Sequence, residues 1–134
     1  MRILRFLKRL PAWIKLCWNQ EDWDYGYIYD LLEFKLKKLQ QAIEQDTIHE
    51  PKDVNRSVRQ IKICLQYLDR FRNWPKYYDY PMDDIKWVEG DFGLCMKSTN
   101  SINEAKRKHA TVYEQFNYEM FWKRFLQWHR SWWV

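Results

Sequence analysis

Hydrophobic positions recur at helical spacing through the middle of the chain and predict two long helices. The first covers residues 22–45, with Asp22 or Asp24 as its N-cap and an apolar stripe that includes Ile28, Leu32, Leu39 and Ile43. The second begins at Pro51 and ends near Arg72, and its apolar residues Val54, Val58, Ile61, Leu65 and Leu68 are spaced by 4, 3, 4 and 3 positions. Because the connection is short, we expect the two helices to form an antiparallel helical hairpin.

A short helix is predicted before this pair, over residues 2–10. Its apolar residues Ile3, Leu7 and Leu10 share one face, and Pro11 is expected to end it. The opposite face is cationic and carries Arg2, Arg5 and Arg9. Three roles stay open for this helix: docking on the protein core, lying on a membrane surface, or reaching a nucleic acid or a protein partner as an arm.

The pattern changes between residues 74 and 100, where Trp and Tyr side chains stand among Pro and Gly. This composition predicts irregular structure, with two short strands near residues 85–88 and 92–96 on either side of a Glu-Gly-Asp turn. A connection of this length inside a small protein often has a functional role.

The last helix is predicted to begin at the capping box of residues 101–104, S-I-N-E, and to run to about Trp132. Its core face is assigned from spacing to Ile102, Ala105, His109, Val112 and Phe116. The predicted fold class is therefore mainly α, in a single helical domain of residues 1–134.

The end of that helix carries more large aromatic side chains than one buried face can hold. Glu119, Lys123, Gln127 and Arg130 form a narrow polar stripe, and aromatic and apolar residues occupy most of the remaining circumference. Such a segment must be covered by its own protein, by a second copy or by another macromolecule. Since aromatic and Arg side chains dominate binding energy at interfaces, we expect partner binding by Arg2, Arg5, Arg9, Trp128, Arg130, Trp132 and Trp133.

The net charge of +5 favours nucleic acid, an anionic membrane or an acidic protein patch as a partner, although a solvated basic surface is equally compatible with it. No apolar stretch is long enough to span a bilayer, and no signal peptide is predicted. The three cysteines lack paired spacing, which argues against a structural zinc and fits a reducing cytoplasm.

The sequence carries no recognisable catalytic or cofactor-binding motif, so we expect neither an enzyme nor a cofactor. His109 is interpreted as a core histidine. The acidic segment 79–91 allows a divalent-metal site or a negative docking patch, but helix capping and solvated loop charge explain it more simply. No metal ligand is therefore assigned.

Three ordered segments, Asp22 to Leu39, Arg59 to Phe71, and the terminal pair Trp132 and Trp133, resemble a family of small proteins encoded by tailed bacteriophages and prophages. The resemblance implies expression in the cytoplasm of an infected bacterium. It carries over no biochemical activity and no functional residue. Small phage proteins of this kind commonly bind host machinery, so the resemblance favours an inhibitor of a host defence effector, such as a CRISPR nuclease or another ribonucleoprotein.

Two alternatives remain open at this stage. The first is a nucleic-acid-binding accessory protein, which would use the cationic run Lys106, Arg107 and Lys108 together with neighbouring aromatic rings. The second is a self-assembling structural protein whose last helix is buried between copies of the chain.

Overall fold

The computed structural model describes residues 2–17 and 26–133, with the side chain of Trp133 left outside the description. The helices are α1 (Arg2–Cys17), α2 (Gly26–Glu44), α3 (Pro51–Arg72) and α4 (Ser101–Trp128), and the strands are β1 (Ile85–Gly90) and β2 (Gly93–Ser98). The predicted mainly α fold class is confirmed. The Asp22 and Asp24 caps lie outside the described residues.

The chain divides into two compact units, Met1–Ile61 and Lys62–Val134, and α3 runs from the first into the second. The single domain that the sequence predicts stays a prediction.

In the first unit, α1 continues past Pro11, so the expected end of this helix was wrong. A proline inside a helix removes one backbone hydrogen bond and strains the preceding turn. Contacts with α2 offset that cost, since the ring of Trp13 lies 5.0 Å from that of Phe34 and the Cys17 thiol lies 3.4 Å from the hydroxyl of Tyr27. Tertiary packing thus outweighs the local signal of the proline.

The second unit is built around the buried side chains of Cys64, Leu68, Phe71, Ala110, Phe121 and Trp132. Phe71 in α3 lies 5.5 Å from the ring of Tyr118 and 5.8 Å from that of Phe121, both in α4. These aromatic contacts hold the end of α3 against the middle of α4.

The orientation of α4 differs from the one its apolar spacing predicts. Its buried residues are Arg107, Ala110, Asn117 and Phe121. The predicted core residues Ile102, Val112 and Phe116 are exposed instead, and His109 is exposed as well. Two of the buried residues are polar, so a search for apolar residues at helical spacing selects the wrong face.

The start of α4 also differs in one residue from the predicted capping box. Asn100 is the N-cap, and its side-chain oxygen accepts hydrogen bonds from the backbone of Ile102 at 3.0 Å and Asn103 at 3.3 Å. Asn and Ser are similarly good N-caps. Which of the two caps the helix therefore depends on the backbone conformation at the end of the preceding strand.

Candidate interaction surfaces

A buried polar network joins the base of the β1–β2 hairpin to α4. Arg107 is only 4% exposed, and its guanidinium donates to both carboxylate oxygens of Asp84, at 2.7 and 3.2 Å. The same group donates to the backbone oxygen of Pro81 at 2.7 Å and to the hydroxyl of Ser98 at 2.6 Å. One side chain of α4 thereby fixes both the entry to β1 and the end of β2.

Asp84 is the acceptor at the centre of this network. Besides Arg107, its carboxylate accepts from the hydroxyl of Ser98 at 2.7 Å, the side-chain amide of Asn103 at 3.1 Å and the backbone of Asn100 at 3.2 Å. The Arg107 guanidinium, followed by the Ser98 hydroxyl, holds the pKa of Asp84 well below its usual range. Asp84 is therefore a charged, fully engaged structural anchor.

The hairpin above this anchor is a regular antiparallel pair. Trp87 lies opposite Met96, Glu89 opposite Leu94, and Gly90 opposite Gly93. Gly93 closes the turn with φ +111°, a conformation that side chains with a Cβ rarely adopt. The two predicted strands are confirmed, and each ends two residues later than predicted. The turn consists of Asp91 and Phe92 and not of Glu-Gly-Asp, so Phe92 lies outside the strand that was predicted to begin there.

The apolar side chains of this hairpin remain exposed to solvent. Trp87, Leu94 and Met96 share one face, because alternate residues of a strand point the same way and their partners lie directly opposite. Trp87 is 63% exposed and Leu94 70%, and Phe92 at the turn is fully exposed. We call Trp87, Phe92, Leu94 and Met96 the hairpin surface. A group of exposed apolar side chains on an element held firmly at its base is typical of a protein-binding site.

A shallow aromatic groove precedes the hairpin. It encloses about 550 Å³ and is lined by Trp74, Pro75, Lys76, Tyr77, Tyr78, Asp79, Tyr80 and Met82. The ring of Tyr78 lies 4.3 Å from that of Tyr113 and 4.9 Å from that of His109. The first half of α4 therefore supports the groove as well as the hairpin, and His109 packs against an aromatic ring at the surface and not in the core.

A second apolar strip lies on the far side of α4. The exposed residues Ile102, Ala105, Val112 and Phe116 repeat with heptad spacing. With about 100° per residue, this strip faces roughly opposite to Arg107, and thus away from the hairpin base. We call these four residues the α4 strip. The spacing is that of a helix that packs against another helix.

The predicted partner-binding residues of the C-terminus are split between core and surface. Trp132 is only 5% exposed and packs 6.1 Å from the ring of Phe125, so it belongs to the core, and its assignment to a binding surface was wrong. Trp128 is half-buried beneath the guanidinium of Arg124, at 5.3 Å, whereas Arg130 is exposed. The side chain of Trp133 lies outside the described residues.

The aromatic density of this segment is thus largely explained by the protein itself. Phe121, Phe125 and His129 stack along one side of the helix, with ring centres 5.7 and 5.0 Å apart. Arg2, Arg5 and Arg9, the remaining predicted binding residues, are all exposed on α1 in the other unit.

The cationic run of α4, the predicted alternative site for nucleic acid, is divided between the interior and the surface. Arg107 is buried against Asp84. Lys106 lies 3.3 Å from a carboxylate oxygen of Asp79, and Lys108 lies 3.2 Å from one of Glu104. Each cation of the run thus has an acidic neighbour. The sequence spacing shows the pair of Lys108 with Glu104, four positions apart, but it does not show the pairs of Lys106 and Arg107, which the fold brings together across more than twenty positions.

The acidic segment gives no metal site in the described part of the chain. Asp84 and Asp79 are engaged by cations, and no group of three or more His, Cys, Asp or Glu side chains could hold a metal among the residues described.

Cys64 is buried, which raises the pKa of its thiol to about 12, while Cys17 and Cys95 are exposed. A thiol that stays protonated at neutral pH is a poor nucleophile.

The chain matches no family model, no curated protein and no solved structure at a significant level. The resemblance to phage proteins therefore stays a prediction. Within the described residues, no helix is long and apolar enough to cross a membrane.

The sequence held a signal for the hairpin surface that a search for helices overlooks. On the second strand, Leu94 and Met96 alternate with polar or small residues, which is the period of a strand. The first strand shows this less clearly, because Val88 follows Trp87. By contrast, no local signal identifies Arg107 and Asp84 as partners, since 23 positions separate them.

Proposed function

We propose that this protein is a non-catalytic binding protein that docks on a protein partner through its hairpin surface. The observation that carries the proposal is the combination of a rigid base and an exposed apolar end. A two-stranded hairpin is only marginally stable by itself. Here Arg107 and Asp84 fix its base, while Trp87, Phe92 and Leu94 remain uncovered.

This combination suits high-affinity recognition. Ordering a flexible loop on binding costs free energy, and a hairpin that is already ordered avoids that cost. Tryptophan and other large side chains near the centre of an interface contribute most of the binding energy. The free backbone edges of two strands also offer hydrogen bonds to an added strand of a partner.

The most concrete form of the proposal is an inhibitor of a bacterial defence effector, such as a CRISPR nuclease, carried by a phage. Support for this form comes from the phage-like sequence segments, and a bacterial cytoplasm is the corresponding location. An inhibitor of this kind acts by occupying or immobilising its target and needs no reactive centre of its own.

A capture experiment tests the proposal. The tagged wild-type protein and the double variant Trp87→Ala, Phe92→Ala are used to capture proteins from bacterial lysate, and the recovered partner is then titrated against each purified protein. We expect the double variant to lose at least about 30-fold in affinity, as for a hot spot worth 2 kcal/mol or more. Its melting temperature should stay close to that of the wild type, since both side chains are exposed.

The control variant Ile102→Ala, Phe116→Ala also removes two exposed apolar side chains, in this case from the α4 strip. It should keep the affinity for the partner. Equal affinity of all three proteins would refute a role of the hairpin surface. Capture of a CRISPR nuclease subunit would support the defence-inhibitor form, and a partner unrelated to defence would remove that form.

The α4 strip favours a second candidate function, which is self-assembly. Heptad spacing of exposed apolar residues is the pattern of helices that pair with one another. Light scattering on the purified protein tests this candidate. A dimer that Phe116→Asp converts to a monomer would support it, and a wild-type monomer at high concentration would exclude it.

A further inference from the structure

The helix α1 separates its charges from most of its large apolar residues, of which only Leu16 falls among the cations. With about 100° per residue, Arg2, Arg5, Lys8, Arg9 and Lys15 fall within one arc of about 140°. The residues Ile3, Leu7, Leu10 and Ile14 fall within an arc of about 60° on the opposite side. The helix contains no Asp or Glu, and its net hydrophobicity is low despite this separation.

Within the first unit, the described residues leave most of the apolar side of α1 uncovered, and Leu10 is half-buried. None of the described residues from Arg2 to Cys17 is buried. Ile3 is 73% exposed, and Leu4, Phe6, Leu7 and Ile14 are exposed as well. Contacts with α2 include those of Trp13 and Cys17 in the C-terminal half of α1. The helix is thus held at one end and uncovered at the other.

We propose that α1 binds the surface of anionic lipid membranes, lying in the plane of the interface with its apolar side among the acyl chains. A strongly amphipathic helix with low net hydrophobicity and a Lys- and Arg-rich polar side is the type that binds in this way. The five cations of α1 are attracted to anionic headgroups. Each cation adds to the binding free energy when it lies close to an anionic membrane surface.

Lipid fits the two sides of α1 better than a polyanion does. A nucleic acid would engage the cations but leave Ile3, Leu7 and Ile14 in water. An anionic membrane accommodates both sides, since the headgroups meet the cations and the hydrocarbon boundary accepts the apolar residues. Binding of this kind is peripheral, and it agrees with the finding that no described helix could cross a membrane.

Vesicle co-sedimentation tests the inference with the whole protein. The vesicles consist either of phosphatidylcholine alone or of phosphatidylcholine mixed with phosphatidylglycerol. We expect binding to the mixed vesicles that weakens with salt, and little binding to phosphatidylcholine alone. The variant Ile3→Ser, Leu7→Ser should lose at least about tenfold in partitioning, because it removes apolar surface that would enter the membrane.

Charge is tested by Arg5→Gln, Lys8→Gln, Arg9→Gln, which should lower partitioning by about two orders of magnitude. The matched control is Lys52→Gln, Arg59→Gln, Lys62→Gln, which removes the same charge from exposed positions of α3 and should bind like the wild type. Circular dichroism and melting temperatures establish that every variant is folded.

Four results would overturn the inference. They are the absence of vesicle binding, an equal loss in the α3 control, full binding by the Ile3→Ser, Leu7→Ser variant, and an oligomer without lipid affinity that this variant turns into a monomer. The third result would indicate attraction by charge alone, as for a polyanion. The fourth would assign the apolar side of α1 to a second copy of the chain.

Discussion

Replacing Trp132 by Ala tests whether the C-terminal aromatic segment is a core or a binding surface. The side chain is 5% exposed and lies against the ring of Phe125, which in turn stacks on Phe121 and His129. Trp87 supplies the matched control, since it is the same residue type but 63% exposed. The two substitutions remove identical atoms, and only burial differs.

The magnitude follows from the area that each indole removes from water. A buried Trp covers about 200 Å² of mostly apolar surface, and at about 25 cal/mol per Å² this contributes up to about 5 kcal/mol. Mutational data on buried Trp and Phe give about 3–5 kcal/mol for the change to Ala. For a chain of this size such a loss lowers the melting temperature by about 10 °C or more. The change at Trp87 should cost about 0.5 kcal/mol or less, as expected for a surface position.

The assay is thermal and urea unfolding of the two variants, followed by circular dichroism, next to the capture experiment. We expect Trp132→Ala to lose stability and Trp87→Ala to lose partner binding at nearly unchanged stability. Two outcomes would refute this argument: a Trp132→Ala protein as stable as the wild type, or a Trp87→Ala protein that unfolds as readily as the Trp132 variant. The first outcome would indicate that Trp132 is not a core residue and is available for partner binding.

Three further predictions concern the interior of the second unit. Arg107 depresses the pKa of Asp84 in the folded protein. The stability that this carboxylate contributes is therefore fully present at pH values above its unfolded-state pKa of 3.8, and it is lost as the pH falls through the depressed folded-state pKa. Melting curves should therefore show a smaller loss of stability on acidification below about pH 4 for Asp84→Asn than for the wild type, together with a lower melting temperature at pH 7; parallel acid profiles would contradict this. In a titration with a thiol reagent at neutral pH, two of the three cysteines should react in the native protein, and Cys64 should react only after unfolding, because burial raises its thiol pKa to about 12. Asn117→Leu should stabilise the protein by about 1 kcal/mol in urea unfolding, because the buried side-chain oxygen of Asn117 has no hydrogen-bond partner among the described residues; destabilisation would reveal a partner for that oxygen.

The two functional proposals rest on different parts of the molecule and can fail independently. The hairpin surface belongs to the second unit and α1 to the first. Loss of partner capture in the Trp87→Ala, Phe92→Ala variant says nothing about vesicle binding, and the α1 variants leave the hairpin unchanged.

Much of the fold can be predicted from local sequence alone. Pro51 begins α3 and the helix ends at Arg72 as expected, because a proline tolerates the first helical position and the apolar spacing of this helix is regular. The β-hairpin is also predictable, since alternation and a Gly-containing turn are local signals. The exposed cations of α1 follow from the sequence in the same way.

The sequence by itself determines the positions of the helices and the hairpin, apart from the end of α1, and the separation of charge along α1, because each depends on residues within a few positions of one another. Only the tertiary structure decides which face of a helix is buried when that face is polar. Arg107 enters the core because Asp84, 23 positions earlier, neutralises it there, and this pairing turns Ile102, Val112 and Phe116 outward. Likewise, Trp132 belongs to the core, where it makes an edge-on contact with the ring of Phe125. The density of aromatic residues in the sequence indicates that such contacts exist but does not fix their geometry.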